Sequence, residues 1–117
     1  MRMVLALSLM TTAAAAQTDC LAAGAGACTA AADAAVALQD GLPQDLGRVR
    51  LMFAIAGGRS VVVGALAPAD GTAPEAMPAR DYLCHHAASR SYLDGGGRIE
   101  VLVGGTTLLD LTTCEAP

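Results

Sequence analysis

The chain has 117 residues, of which 54% are hydrophobic and 15% charged, with 26 Ala, one Phe, no Trp, no Lys and no Asn. That length fits one small domain and excludes a multidomain enzyme. The formal charge of -4, from 11 acids against 7 Arg, excludes a nucleic-acid binder, because Arg48, Arg50, Arg59, Arg80, Arg90 and Arg98 are interspersed with carboxylates and form no basic face.

The chain begins as an exported protein would. Arg2 supplies a positive start, residues 3–10 are apolar apart from Ser8, and Ala13 to Ala16 offer the small side chains that a signal peptidase needs. Cleavage is expected after Ala16, with Ala14 three residues from the cut, so that residues 1–16 are a signal peptide and 17–117 a single exported domain. The apolar run falls well short of the ~20 residues needed to span a bilayer, and no later segment is long enough. A lipid-attachment site is not expected at Cys20, since Gln17, Thr18 and Asp19 precede it. The mature chain is therefore expected to be soluble, in the periplasm or secreted.

An oxidising compartment and an even count of cysteines predict two disulfides. Of three connectivities, Cys20 with Cys28 and Cys84 with Cys114 is favoured, because Gly24 and Gly26 would let the first segment fold back on itself. A continuous helix over residues 20–28 would instead hold those two Cα atoms about 12 Å apart and favour a crossed pairing. The long loop contributes roughly 3.7 kcal/mol and the short one roughly 2.6 on the chain-entropy model.

Further along, Thr29 is expected to cap a helix over residues 30–39, ending at Asp40-Gly41 before Pro43. Its apolar face is Ala31, Ala35, Val36 and Leu38, so close approach to a sheet matters more than volume. Residues 48–56 alternate, with Val49, Leu51, Phe53 and Ile55 on one side, and predict a strand. Gly57-Gly58 turns it into a second strand over residues 60–66. A three-residue loop of Gly57 to Arg59 would pair Ile55 with Val61, Phe53 with Val63 and Leu51 with Ala65, putting all the apolar residues on one face.

After the Pro-rich connection of residues 68–78, a second helix is expected from Pro78 or Ala79 to about Leu93, closed by Gly95-Gly96-Gly97. Residues 99–111 then form a second hairpin, in which a three-residue loop, Gly104 to Thr106, pairs Val103 with Thr107, Val101 with Leu109 and Ile99 with Leu111. The order helix-hairpin-helix-hairpin predicts an α+β fold: a four-stranded antiparallel sheet with two helices on one face, stapled by disulfides. The open face would carry Arg48, Arg50, Met52, Ala54, Val62, Gly64, Arg98, Glu100, Leu102, Leu108, Asp110 and Thr112.

From Leu83-Cys84 through Tyr92-Leu93-Asp94-Gly95-Gly96 and Ile99-Glu100-Val101 to Thr113-Cys114, with Gly41-Leu42-Pro43 ahead of it, the chain resembles the quorum-sensing-regulated virulence factor family of small secreted bacterial proteins. The resemblance spans residues 40–114. It implies an exported α+β protein and brings no catalytic residues; Cys20 and Cys28 have no counterpart in it.

No catalytic constellation is expected, and no cofactor. Cys84-His85-His86 is the single cluster of metal-ligand types, but adjacent helical residues point about 100° apart and a disulfide would consume the thiolate. His85 and His86 are expected to face solvent, a ligand or metal site there being the minor alternative. Glu100 and Asp110 oppose each other across the second hairpin and need a cation, Arg98 or an Arg of the first hairpin, between them. The expected function is that of a non-enzymatic exported interaction module. Its protein partner would lie in the envelope or outside the cell and be met on the open face by Arg50, Met52, Val62, Leu102 and Leu108.

Overall fold

A computed structural model describes residues 25–115. The expected signal peptide of residues 1–16, Cys20 and Gly24 lie outside the described residues. In chain order the elements are helix α1 (Ala25–Gln39), strands β1 (Gln44–Asp45), β2 (Arg50–Gly57) and β3 (Ser60–Leu66), helices α2 (Ala76–His85) and α3 (Ala87–Asp94), and strands β4 (Arg98–Val103) and β5 (Thr106–Leu111).

The strands form one five-stranded sheet in sequence order. The pairings β1–β2, β2–β3 and β4–β5 are antiparallel, whereas β3 and β4 run parallel, Val61 beside Ile99 and Val63 beside Val101. The expected four-stranded antiparallel sheet is thus corrected to a mixed five-stranded one. The reason lies in the connection: the two hairpins are joined by α2 and α3, and a helical crossover over one face returns the chain parallel to the strand it left. β1 escaped notice because two residues carry no periodicity; the chain reaches it through a cis Leu42–Pro43 bond.

The helices also differ from expectation. α1 is already helical at Ala25, ahead of the expected residue 30, so Gly26 and Cys28 are helical and Thr29 lies inside the helix. Gly26 costs this Ala-rich helix little that its neighbours do not recover. The expected single helix over residues 78–93 is two helices, broken at His86, whose ψ of 121° is extended. No Gly or Pro marks that joint.

Both hairpins turn on two residues, not three. Gly57 pairs with Ser60 around Gly58-Arg59, where Gly58 takes φ 73°. Val103 pairs with Thr106 around Gly104-Gly105, both with positive φ as a type I′ turn requires. A β-bulge in each hairpin then repairs the register. In β2–β3 the bulge falls at Met52, after which Leu51 meets Ala65 as expected. In β4–β5 it falls at Leu108, and Val101 meets Leu109 and Ile99 meets Leu111 as expected.

The first bulge decides which side chains are buried. Val49 and Leu51 point inward, but past Met52 the phase reverses, so that Ala54 is buried while Phe53 and Ile55 are about half exposed, at 46% and 52%. Volume explains the reversal. α1 packs across β2 and β3 through Ala31, Ala34, Ala35 and Leu38, all buried, and this close-lying helix has room for Ala54 beneath it and none for Phe53.

The core continues under α2 and α3, where Ala79, Leu83, Tyr92 and Leu93 meet Ile99, Val101 and Leu111. Tyr92 donates its hydroxyl to the Arg59 carbonyl at 2.6 Å, and its ring lies where a side chain on Gly97 would stand. The expected Cys84–Cys114 disulfide is present and closes a separation of 30 residues. Its inward geometry is possible because β5 ends at Leu111, freeing the chain to turn before Cys114. Cys28 is disulfide-bonded as well; its expected partner, Cys20, lies outside the described residues.

Candidate interaction face

The helices and the buried cluster lie on one face of the sheet. The opposite face is laid out by register. Arg50 stands beside Leu66; one level along are Phe53, Gly64 and Leu102; the next level carries Ile55, Val62, Glu100 and Asp110; then come Ser60 and Arg98. The face is therefore divided. Its β2–β3 half is apolar and its β4–β5 half is ionic.

Phe53 anchors the apolar half. Its ring lies flat across Gly64, so close that any side chain there would overlap it, and the missing side chain on β3 makes room for the aromatic on β2. Ile55 and Leu66 are each just over half exposed, and Val62 and Leu102 are half-buried. Of the residues expected on this face, Arg50, Val62 and Leu102 are placed on it by register, and Met52 sits half-buried at the bulge. Leu108 is corrected: it is the extra residue of the second bulge and packs against the core. Ala54 is corrected too, being buried under α1. Phe53 and Ile55 were missed because uninterrupted alternation assigns them inward; the signal available was the match between small residues on α1 and Ala54 on β2.

On the ionic half, Glu100 and Asp110 are paired across the strands as expected, and Arg98 neutralises both. Its Nε and one terminal nitrogen donate to the two Asp110 carboxylate oxygens at 2.8 and 2.6 Å, and Glu100 lies 3.7 Å from the same guanidinium. The hydrogen bonds from Arg98 hold the Asp110 carboxyl below the usual carboxylate range, and Asp110 in turn pushes the Arg98 guanidinium up. Three charges thus form an ion-pair network open to solvent, a surface arrangement of modest stabilising value.

The histidines lie elsewhere. His85 is exposed, its Nδ1 at 2.7 Å from the Asp81 carbonyl. His86 departs from expectation: it is half-buried, tilted against the Tyr82 ring with centroids 6.1 Å apart, and its Nδ1 is buried with no hydrogen-bond partner among the described residues. The two border a shallow groove of about 420 Å³ with Leu46, Pro78, Asp81 and Tyr82. Among the described residues no group of three or more His, Cys, Asp or Glu side chains converges, and no helix is long and apolar enough to cross a membrane.

No family model and no curated protein matches the chain. Its fold is shared. The solved structure of the type II secretion system pilotin AspS from Vibrio cholerae superposes with a TM-score of 0.52 at 23% identity, over 74% of this chain and 86% of that one. The pilotin EpsS from the Vibrio vulnificus type 2 secretion system superposes with a TM-score of 0.54 at 21% identity, over 79% of this chain and 94% of that one. The likeness extends over most of both pilotins, and at these identities it establishes the architecture.

Proposed function

We propose that this chain is a non-enzymatic, exported protein-interaction module that serves, as the pilotins do, a secretion system of the bacterial envelope. The observation that carries the reading is the apolar half-face formed by Phe53, Ile55, Val62, Leu66 and Leu102, which no described residue covers. A small domain leaves such a surface open to water at a cost, and a partner removes that cost. The shared pilotin fold supports the envelope setting.

Site-specific photo-crosslinking in the producing cell tests this. A photoreactive amino acid at Phe53 or Leu102 is expected to form a discrete adduct with an envelope protein, and one at Met77, exposed on α2, is not. Adducts formed equally from Met77, or none from the sheet face, would refute the reading.

A second reading, a small-ligand or metal-binding protein, draws on the unpartnered Nδ1 of His86 in its groove. A large rise in melting temperature with Zn²⁺ or Cu²⁺, lost in a His85→Ala/His86→Ala variant, would favour it over the interaction module.

A further inference from the structure

We propose that the partner docks as an extended strand on the open edge of β2, residues 53–57, in line with β1 and on the same side of β2. This mode rests on the interaction reading above and specifies how the partner is held. β1 pairs only with Arg50 and Leu51, so among the described residues no strand pairs with that side of β2 from the bulge to the turn.

The register fixes which backbone groups face outward. In a two-residue hairpin the pair flanking the turn, Gly57 and Ser60, is hydrogen-bonded, and bonded pairs then alternate. Gly57, Ile55 and Phe53 therefore bond to β3, while Ala56 and Ala54 turn their N–H and C=O away from it. The Ala54 N–H confirms the direction, since it donates to the Gln39 side chain at 2.9 Å and not to β3. Gln39 thus occupies one acceptor position of a missing strand. The Ala54 C=O and both groups of Ala56 complete the template.

The flanks of this edge suit alternating apolar side chains. On the outer face the edge is bordered by Phe53 and Ile55; on the helix side stands Val36, 68% exposed and one helical turn from Gln39. An added strand would place successive side chains against these two surfaces in turn. The edge also lacks the usual protection against pairing. β5 carries a bulge and the charged Asp110, and β1 is two residues long. The β2 segment Phe-Ala-Ile-Ala-Gly has no charge, no Pro and no bulge beyond Met52.

The occupant is an extended, alternately apolar segment and not a second copy of this chain. Adjacent strands lie about 4.8 Å apart. In a symmetric β2–β2 pairing each α1, which packs across β2 and β3, would have to share the seam with its copy at the ~8–10 Å that packed helices keep, and the Gln39 side chain that holds the Ala54 N–H would stand in the way on both sides.

The test uses isotopically labelled protein and two end-blocked probes: the peptide Thr-Val-Thr-Ile-Thr-Val-Thr, and the same peptide N-methylated at alternate residues so that it cannot pair. The first should shift the amide resonances of residues 53–57 and the Gln39 side-chain amide; the second should not. Ala56→Pro removes an outward N–H that β3 does not use and should weaken binding at least tenfold with an unchanged melting temperature. Gln39→Ala frees the Ala54 N–H and should tighten binding severalfold, an effect that a loss of folding cannot produce. The proposal is overturned by absence of shifts at millimolar peptide, by equal binding of the N-methylated probe, by loosened binding in Gln39→Ala, or by dimerisation that Ala56→Pro abolishes. Crosslinks from Leu102 that persist in the Ala56→Pro cell would leave the interaction reading standing while removing the edge; loss of adducts from the face altogether would remove the reading itself.

Discussion

Replacing Cys84 and Cys114 together by Ala should be the most destabilising change outside the centre of the core. The bridge joins α2 to the residues after β5 across 30 positions, and the chain-entropy relation gives about 3.7 kcal/mol for a loop of that size. Both half-buried cysteines pack against the core, so the lost sulfur contacts add to that figure. Without the bridge, the residues after β5 are held to α2 chiefly by Arg80, whose guanidinium donates to the Glu115 carbonyl at 2.6 Å, an exposed bond of about 1 kcal/mol. For a domain of this size each kcal/mol moves the melting temperature by roughly 4–8 °C, so a fall of about 15–30 °C is expected. The assay is thermal unfolding followed by circular dichroism on the double variant; a reductant is unsuitable because it would also open the Cys28 bridge. Arg80→Ala serves as the comparison and should move the midpoint by no more than about 8 °C. A double variant melting within 5 °C of the parent, about 1 kcal/mol on the same scale, would refute the view that a long covalent loop supplements a core poor in aromatics.

Three further outcomes are expected. Leu38→Ala, emptying the most enclosed large side chain of α1, should cost about 2–5 kcal/mol in denaturant unfolding. Gly64→Val should expel the Phe53 ring from β3 without disturbing the buried face, seen as a changed Phe53 ring environment by NMR with the Leu51 and Val63 methyl resonances retained. The folded-state carboxyl of Asp110 lies below its unfolded value because of Arg98, so its stabilisation is present above the unfolded pKa and is lost as pH falls through the folded one. Asp110→Asn should therefore cost under ~1 kcal/mol at neutral pH, the pair being exposed, and nothing once acid has protonated Asp110 in the parent. A cost that persisted there would show that packing, not charge, is responsible.

The sequence patterns were most informative where side-chain type alone decides the outcome. Ile99, Val101 and Leu111 were placed inward and are buried, the Cys84–Cys114 pairing is present, and Arg98 sits between Glu100 and Asp110 as the like charges demanded. They misled where a single inserted residue changes the phase. Alternation over residues 48–56 supports one inward row, and neither Met52 nor Leu108 carries any mark of a bulge; both are ordinary apolar residues in apolar surroundings. Three-residue loops are not needed to align the apolar rows, because two-residue turns followed by bulges reach the same distant pairs, Leu51 with Ala65 and Ile99 with Leu111. A parallel β3–β4 contact was equally invisible, since it depends on where a crossover lands and not on any residue within either strand.

The bulge at Met52 links fold to function. Had the strand run without it, Phe53 and Ile55 would lie under α1, Ala54 would face water, and the outer face would present Arg50 and small residues with little to bind. Leaving Met52 out of the ladder exchanges the two sets: the helix gains the close approach that its Ala face requires, and the sheet gains an exposed aromatic and an exposed isoleucine beside a backbone edge that no described strand pairs. The same residue therefore accounts for the tight packing of one side and the adhesive character of the other. Deleting Met52 removes the unpaired residue and leaves Leu51 inward, Phe53 outward and Ala54 inward in unbroken alternation, with Leu51 still opposite Ala65 and Phe53 opposite Gly64, so the variant should unfold cooperatively with Phe53 still exposed. A deletion variant that folds stably with Phe53 buried would separate the two roles and show that the exposed face is not a consequence of packing α1 closely.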